Sequence, residues 1–473
     1  MSKRSLLRNI SYVFSSQMLI LIIGMARSII LPLFFHVNAF GYFQVYVFYT
    51  SYTGLFALGF NDGVYLRYGE YNYDQLPHEK MRSSIKLYAL MLSVFTVITA
   101  VSVIFVIKDP DVRFAMLFSS LNVLVIGLNT VFIFVLQITN QLKKYSVFSV
   151  ANKVLVILAI LFMIIINDNN YRTIIVVDFI GGMLVLLFIS LQCKDLLYGK
   201  NSSFSEGWGE FKKNLRVGVK LLVANLLGML LIGCGRIIIQ YWGHIKDFAV
   251  YSFGISVTAM VLTVITAFSL VLYPTLKRIS SDLLPDYYSK VDAFTRLFNV
   301  FTLLVYFPFY YVVSRYFGKY ADVLTYLNLL FIVAYLQSKI SLLYNTFYNT
   351  LRKEKALLIE NVSSVLLFIV LASALFFSFH TIWIIAFSTA AAMLFRCFIS
   401  ELYLKKIKFL RSNLKPLLEL GYILVFLLIT SVLNVIPGVI VFSLLSFAYM
   451  LMERNEIKEV LSAVRMRESV VTE

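Results

Sequence analysis

Two arginines set in apolar surroundings are the residues of this chain with the most chemistry to do. The stretch Ile23-Gly24-Met25-Ala26-Arg27-Ser28-Ile29-Ile30 returns as Ile232-Gly233-Cys234-Gly235-Arg236-Ile237-Ile238-Ile239, matching at Ile, Gly, Arg and the final two Ile. The same offset, without a gap, carries Tyr42 onto Tyr251, so the pattern reads as an old internal duplication. An arginine facing lipid at mid-bilayer costs about 2.5 to 3.5 kcal/mol on insertion scales, so each should face a polar interior. Lys339 and Arg396 add two further cations within apolar stretches, and Asp178 is the only carboxylate clearly inside one. An excess of buried cations would attract a phosphate or pyrophosphate group, to which guanidinium gives paired hydrogen bonds. The plainer alternative is helix packing, with Arg27 or Arg236 paired to Asp178, and with Lys339 and Arg396 snorkelling or paired structurally.

Other polar groups recur at helical spacing. Tyr42, Tyr46 and Tyr49, with Thr53 on the same face, would suit sugar rings through apolar contact and phenolic hydrogen bonds, or simple helix packing. Asn122 and Asn129 fall on one helical face, where they can bind hydroxyls or join helices. Asp178 is a candidate for ion coupling or charge pairing. Catalytic signals are absent: there is no nucleotide-binding glycine loop, no H-E-x-x-H and no G-x-S-x-G. His36, His78, His244 and His380 are isolated, and Cys193, Cys234 and Cys397 have no metal-ligand spacing, so neither an enzyme nor a metal or other cofactor is expected. Transport would run on an ion gradient, the membrane potential or substrate supply.

The elements that must position these groups are membrane helices. The chain has 473 residues, 60% of them hydrophobic, and a mean hydropathy of +0.83, against about 45 to 50% apolar for a soluble globule. Its net charge of +17 is spread between apolar spans and forms no patch on a soluble domain, which argues against nucleic acid as a partner. Dividing the chain at charged and Pro/Gly-rich breaks, with about 20 apolar residues per span, predicts an all-α polytopic membrane protein of 14 helices. Spans 1 and 2 are expected over residues 11–34 and 40–60, span 6 over 174–193 and span 7 over 217–241. Spans 10 and 12 are expected over 323–346 and 382–402, and spans 13 and 14 over 417–435 and 439–452.

About 30 of the 42 Lys and Arg fall at the termini and in loops after even-numbered spans, against about six in the opposite loops, which predicts that both termini are cytoplasmic. Six spans separate the two arginine motifs, so both repeats enter the membrane in the same direction. The expected plan is two six-helix lobes, 1–200 and 217–412, related as parallel repeats around a central cavity. A cytoplasmic connector, 201–216, joins them; helices 13 and 14 follow within 413–452. In the tail, 453–473, Ile457, Val460, Leu461 and Val464 share one face of an expected interfacial amphipathic helix.

Leu31-Pro32, Phe40-Gly41-Tyr42-Phe43, Leu58-Gly59-Phe60-Asn61-Asp62-Gly63-Val64 and Arg67-Tyr68-Gly69 together resemble the opening of bacterial polysaccharide-biosynthesis flippases. These are the O-antigen and capsule repeat-unit translocases, related to multidrug and toxic compound extrusion transporters and lipid II flippases. The resemblance implies movement of undecaprenyl-pyrophosphate-linked oligosaccharide from the inner to the outer leaflet of the bacterial cytoplasmic membrane, through a cationic cavity. It supports Arg27 and, through the repeat, Arg236 as cavity cations, and implies a glycan polymerase and glycosyltransferases as partners. It gives Asn61, Asp62 and Arg67 no role beyond shaping a loop, and Asn-Asp-Gly itself reads as turn chemistry. Two rivals stand beside this reading. A drug or organic-cation exporter of the same fold should carry cavity carboxylates, and a membrane glycan polymerase should have a long outer loop with catalytic residues.

Overall fold

A computed structural model of the protein describes residues 3–276, 279–407, 409 and 415–452, so the expected amphipathic tail lies outside the described residues. The described chain is helical, and it divides into two compact units between Leu226 and Leu227.

The first unit is built from α1 (Lys3–Phe34), α2 (Val37–Ser51), α3 (Phe60–Tyr68), α4 (His78–Val106), α5 (Pro110–Ile138), α6 (Leu142–Ile165), α7 (Tyr171–Gln192) and the start of α8 (Phe204–Trp242). Helix α5 is its centre, packed on α2, α4 and α7, while α1 pairs with α6. It begins sharply because Asp109 accepts hydrogen bonds from the Asp111 and Val112 amides at 2.8 and 2.9 Å, with Pro110 following the cap. Helix α4 shows what solvent the fold expects. Tyr88, Leu92 and Thr96 are buried on one face, whereas Leu90, Val94, Val97, Ile98, Val101 and Phe105 are exposed on the other. A stripe of that kind belongs in hydrocarbon rather than water.

The second unit contains the rest of α8, then α9 (Ile245–Leu276), α10 (Leu284–Leu304), α11 (Tyr306–Tyr316), α12 (Leu327–Lys339), α13 (Thr346–Thr350), α14 (Glu354–Phe379), α15 (Ile382–Lys406), α16 (Lys415–Val432) and α17 (Val435–Met452). Helix α12 packs on α9, α10, α15 and α16, which is why it is apolar nearly all round. It continues through a π-helical turn, Ile340–Asn345, into α13.

Eleven of the described helices or helix runs are long and apolar enough to cross a membrane, with two shorter apolar helices at Gly228–Trp242 and Pro416–Val432. The region of expected span 2 is broken. Helix α2 stops at Ser51, where the Ser51 and Thr53 hydroxyls bond back to the carbonyls of Phe48 and Thr50 and compete with the helix ladder. The connector expected over 201–216 is also not a separate piece, because α8 runs unbroken from Phe204 to Trp242. The Asn61-Asp62-Gly63 turn is corrected as well: these residues lie inside α3. The chain reverses just before them, at Leu58 and Gly59, which adopt left-handed φ values of 48° and 83°.

Candidate functional site

In the first unit, three of the singled-out residues converge, joined by Asn152. The Tyr46 hydroxyl donates to Asp178 Oδ2 at 2.6 Å and accepts from Asn122 Nδ2 at 2.8 Å, while Asn152 Nδ2 donates to Asp178 Oδ1 at 3.2 Å. Helices α2, α5, α6 and α7 thus meet at one carboxylate. Arg27, half-buried on α1, lays its guanidinium over the Phe43 ring at 5.2 Å, one turn before Tyr46 on α2. Among the described residues it forms no ion pair with Asp178. Tyr42 and Tyr49 point to other tasks, Tyr42 packing tilted against the Tyr171 ring at 5.2 Å and Tyr49 edge-on to Phe48. Asn129 joins α5 to α7 by donating to the Gly182 carbonyl at 3.0 Å.

Arg236 is half-buried on α8 in the second unit. Its neighbour Gly235 admits close packing, since a Cβ there would meet the side chains of Ile385 and Tyr251. Arg396 on α15 is almost fully buried; its Nη2 donates to Asn345 Oδ1 at 2.8 Å, from the π-helical turn, and its Nε and Nη1 have no hydrogen-bond partner among the described residues. Such turns recur at functional positions in helices. Glu360 is buried in the same unit, taking the Tyr348 and Ser400 hydroxyls at 2.5 Å each.

Lys339 differs from the other three cations. Its Nζ is 2.5 Å from Glu419 Oε2 and 3.6 Å from Glu401 Oε1, so its charge is already met by protein. Asp292 and Arg296 form an i,i+4 pair on α10 within the same unit. Intramembrane acids are therefore less scarce than charge counting along the sequence suggests. Glu419 sits close to the start of expected span 13, a position that reads as a helix end until packing buries it.

A third polar group lies at the motif after span 2. Arg67 Nη1 donates to Glu210 Oε1 and Asn214 Oδ1, each at 2.5 Å, and the Tyr68 hydroxyl also donates to Glu210. Burial pushes the Glu210 carboxyl up, but hydrogen bonds from Arg67 and Tyr68 and the charges of Arg67 and Lys213 outweigh it and hold it below the usual range. Beside these contacts α3 and α8 touch backbone to backbone. A Cβ at Gly59 or Gly63 would strike the backbone of Gly218 or Asn214, and one at Gly218 would strike Gly59. The sequence motif gave the glycines and the arginine; only their partners on α8 were hidden.

Residues 6–280, more than half of the chain, match the family model described as polysaccharide biosynthesis protein. The chain belongs to that family. No curated protein sequence matches it. Among solved structures, this polysaccharide biosynthesis protein is similar to the lipid II flippase MurJ in an inward closed conformation, with a TM-score of 0.63 and 12% identity over 95% of this chain and all of that one. It is also similar to a multidrug resistance MATE family transporter of the MOP superfamily. The outward-facing form of that transporter gives a TM-score of 0.56 at 14% identity, over 85% of this chain and 96% of that one. Its inward-facing form gives 0.57 at 14% identity, over 85% and 99%. The polysaccharide biosynthesis protein is thus a multi-pass, all-α membrane protein with a fold used by flippases and transporters.

Proposed function

We propose that the protein is a flippase that carries undecaprenyl-pyrophosphate-linked oligosaccharide units from the inner to the outer leaflet of a bacterial cytoplasmic membrane. The repeated arginine motif carries this reading. Arg27 and Arg236 occupy duplicated positions in apolar helices of a polysaccharide biosynthesis family member, and a diphosphate is the chemistry that a pair of guanidinium groups recognises best. Arg396, with two nitrogens unbonded among the described residues, is a third headgroup contact. Lys339 serves to hold Glu419 and Glu401 together. The Tyr46, Asn122 and Asp178 group offers a hydroxyl, an amide and a carboxylate for sugar binding or ion coupling.

Both termini lie in the cytoplasm in this reading, as the distribution of loop Lys and Arg favours. The chain works as a carrier, without catalysis, between glycosyltransferases that build the lipid-linked unit and a polymerase that consumes it. A cation exporter of the same fold is disfavoured by the duplicated positive charge. The test is surface glycan in cells carrying Arg27→Ala or Arg236→Ala at native expression. Each variant should abolish glycan while the protein remains in the membrane; normal glycan in both removes the headgroup assignment.

A further inference from the structure

Between α12 and α13 the helix leaves the α form, and one carboxylate on α15 meets both ends of the departure. Across Ile340–Asn345 the helix widens into a π turn, and the Thr346 hydroxyl donates to the Ser341 carbonyl, five residues back, at 3.1 Å. Residues five apart face nearly the same way in such a turn, whereas along an α-helix they point about 140° apart. Lys339 and Tyr344 are five apart, and the Lys339 Nζ lies over the Tyr344 ring at 5.7 Å. Both reach Glu401. The Tyr344 hydroxyl donates to Glu401 Oε1 at 3.1 Å, and Lys339 Nζ is 3.6 Å from the same oxygen. An α-helical path would turn one of the two away, so a Glu401 engaged by both favours the π turn. Glu419 on α16 holds Lys339 from its other side at 2.5 Å.

The consequence falls on the next residue. Asn345 ends the π turn and accepts from Arg396 Nη2 at 2.8 Å. Arg396 and Glu401 stand five residues apart on α15, so this helix is stitched to the turn at two points, and the stitch at Tyr344 sets where Asn345 meets Arg396. Arg396 is 1% exposed, and Asn345 fixes one of its three nitrogens while Nε and Nη1 have no partner among the described residues. In the reading proposed above, on which this inference rests, Arg396 is a headgroup contact. We propose that Glu401 is a positioning residue for that contact. With Lys339 it holds the π turn, the turn holds Asn345, and Asn345 sets the direction in which Arg396 offers its open donors to the diphosphate. Glu401 itself touches no substrate. Glu419 contributes through Lys339, which gives α16, a helix beyond the duplicated motifs, a part in headgroup recognition.

The test is a double-mutant cycle on the full chain in detergent, read as equilibrium binding of undecaprenyl pyrophosphate, with undecaprenol as the control that lacks the diphosphate. Glu401→Ala should lower affinity for the diphosphate lipid about tenfold and leave undecaprenol binding unchanged. Glu401→Gln, whose amide oxygen still accepts from Tyr344, should restore affinity to within about threefold of the parent. In an Arg396→Ala background Glu401→Ala should cost nothing further. Equal losses in both backgrounds, equal losses for both lipids, or unchanged affinity would each show that Glu401 does not act through Arg396. Where Glu401→Ala fails to fold, Tyr344→Phe, which deletes only the hydroxyl, runs through the same cycle; no loss in the parent background overturns the proposal. Arg27→Ala, measured in parallel, separates the two readings. Weakened binding there beside unchanged binding in Glu401→Ala leaves the headgroup reading standing and removes only the positioning role. A parent protein that binds both lipids equally removes the headgroup reading and the positioning role with it.

Discussion

Lys339 on α12 and Glu419 on α16 meet at 2.5 Å in the interior of the second unit, tying a helix beyond the duplicated region to the most buried helix of the fold. Both residues are at least 94% buried, so neither charge can turn to solvent when its partner is lost.

Glu419→Ala should therefore destabilise the protein by about 3 to 5 kcal/mol, because Lys339 keeps only Glu401 at 3.6 Å. Replacing both members, Lys339→Met with Glu419→Met, should cost clearly less than the single change. Thermal unfolding in detergent measures both, and a double variant as damaged as the single one would show that the pair is not coupled.

Tyr46→Phe removes one hydrogen bond from Asp178 and leaves Asn122 without its acceptor, while Asn152 still donates to the carboxylate. A loss of about 1 to 3 kcal/mol is expected. Asp178→Asn should be milder for folding because the amide oxygen still accepts from Tyr46. If Asp178 takes part in ion coupling, that variant should lose glycan export at normal protein abundance, whereas a purely structural carboxylate would leave export in step with abundance.

Acid should loosen the joint at α3. Glu210 has a carboxyl pKa held below its ordinary 4.5, so the stability it contributes is fully present above that value and is lost as pH falls through the depressed one. The groups facing it are Arg67 and Tyr68 from α3 and Lys213 and Asn214 from α8. Thermal unfolding in detergent should show stability falling on acidification below pH 4.5 and holding steady above it. In Glu210→Gln this transition should vanish.

Sidedness can be checked directly. Cysteines placed at Asn169, in the loop before α7, and at Ser203, just before α8, should react with impermeant reagents on opposite faces of the membrane, Ser203 on the cytoplasmic side. Labelling from the same side would overturn the topology.

What the sequence alone determined follows from terms that act locally. Hydrocarbon demands long apolar helices whatever their neighbours, so the all-α membrane class could be read from runs of residues, whereas against the 14 expected spans eleven described helices or helix runs are long and apolar enough to cross. The duplicated Arg27 and Arg236 stood out for the same reason, since a charge in such a run is costly wherever it ends up. Local chemistry misled where a rival signal sat nearby: Asn-Asp-Gly looked like a turn, yet Leu58 and Gly59 supply the reversal and leave Asn61 inside the helix that starts at Phe60. Pairing was beyond the sequence altogether. Lys339 and Glu419, Tyr46 and Asp178, and Arg67 and Glu210 are each distant along the chain, and whether a buried charge is an open site or a neutralised brace depends on which side chain packing brings to it. Tertiary structure decided that Lys339 is neutralised and that Arg396 retains open donors among the described residues, because only packing fixes the distances on which Coulombic and hydrogen-bond energies depend.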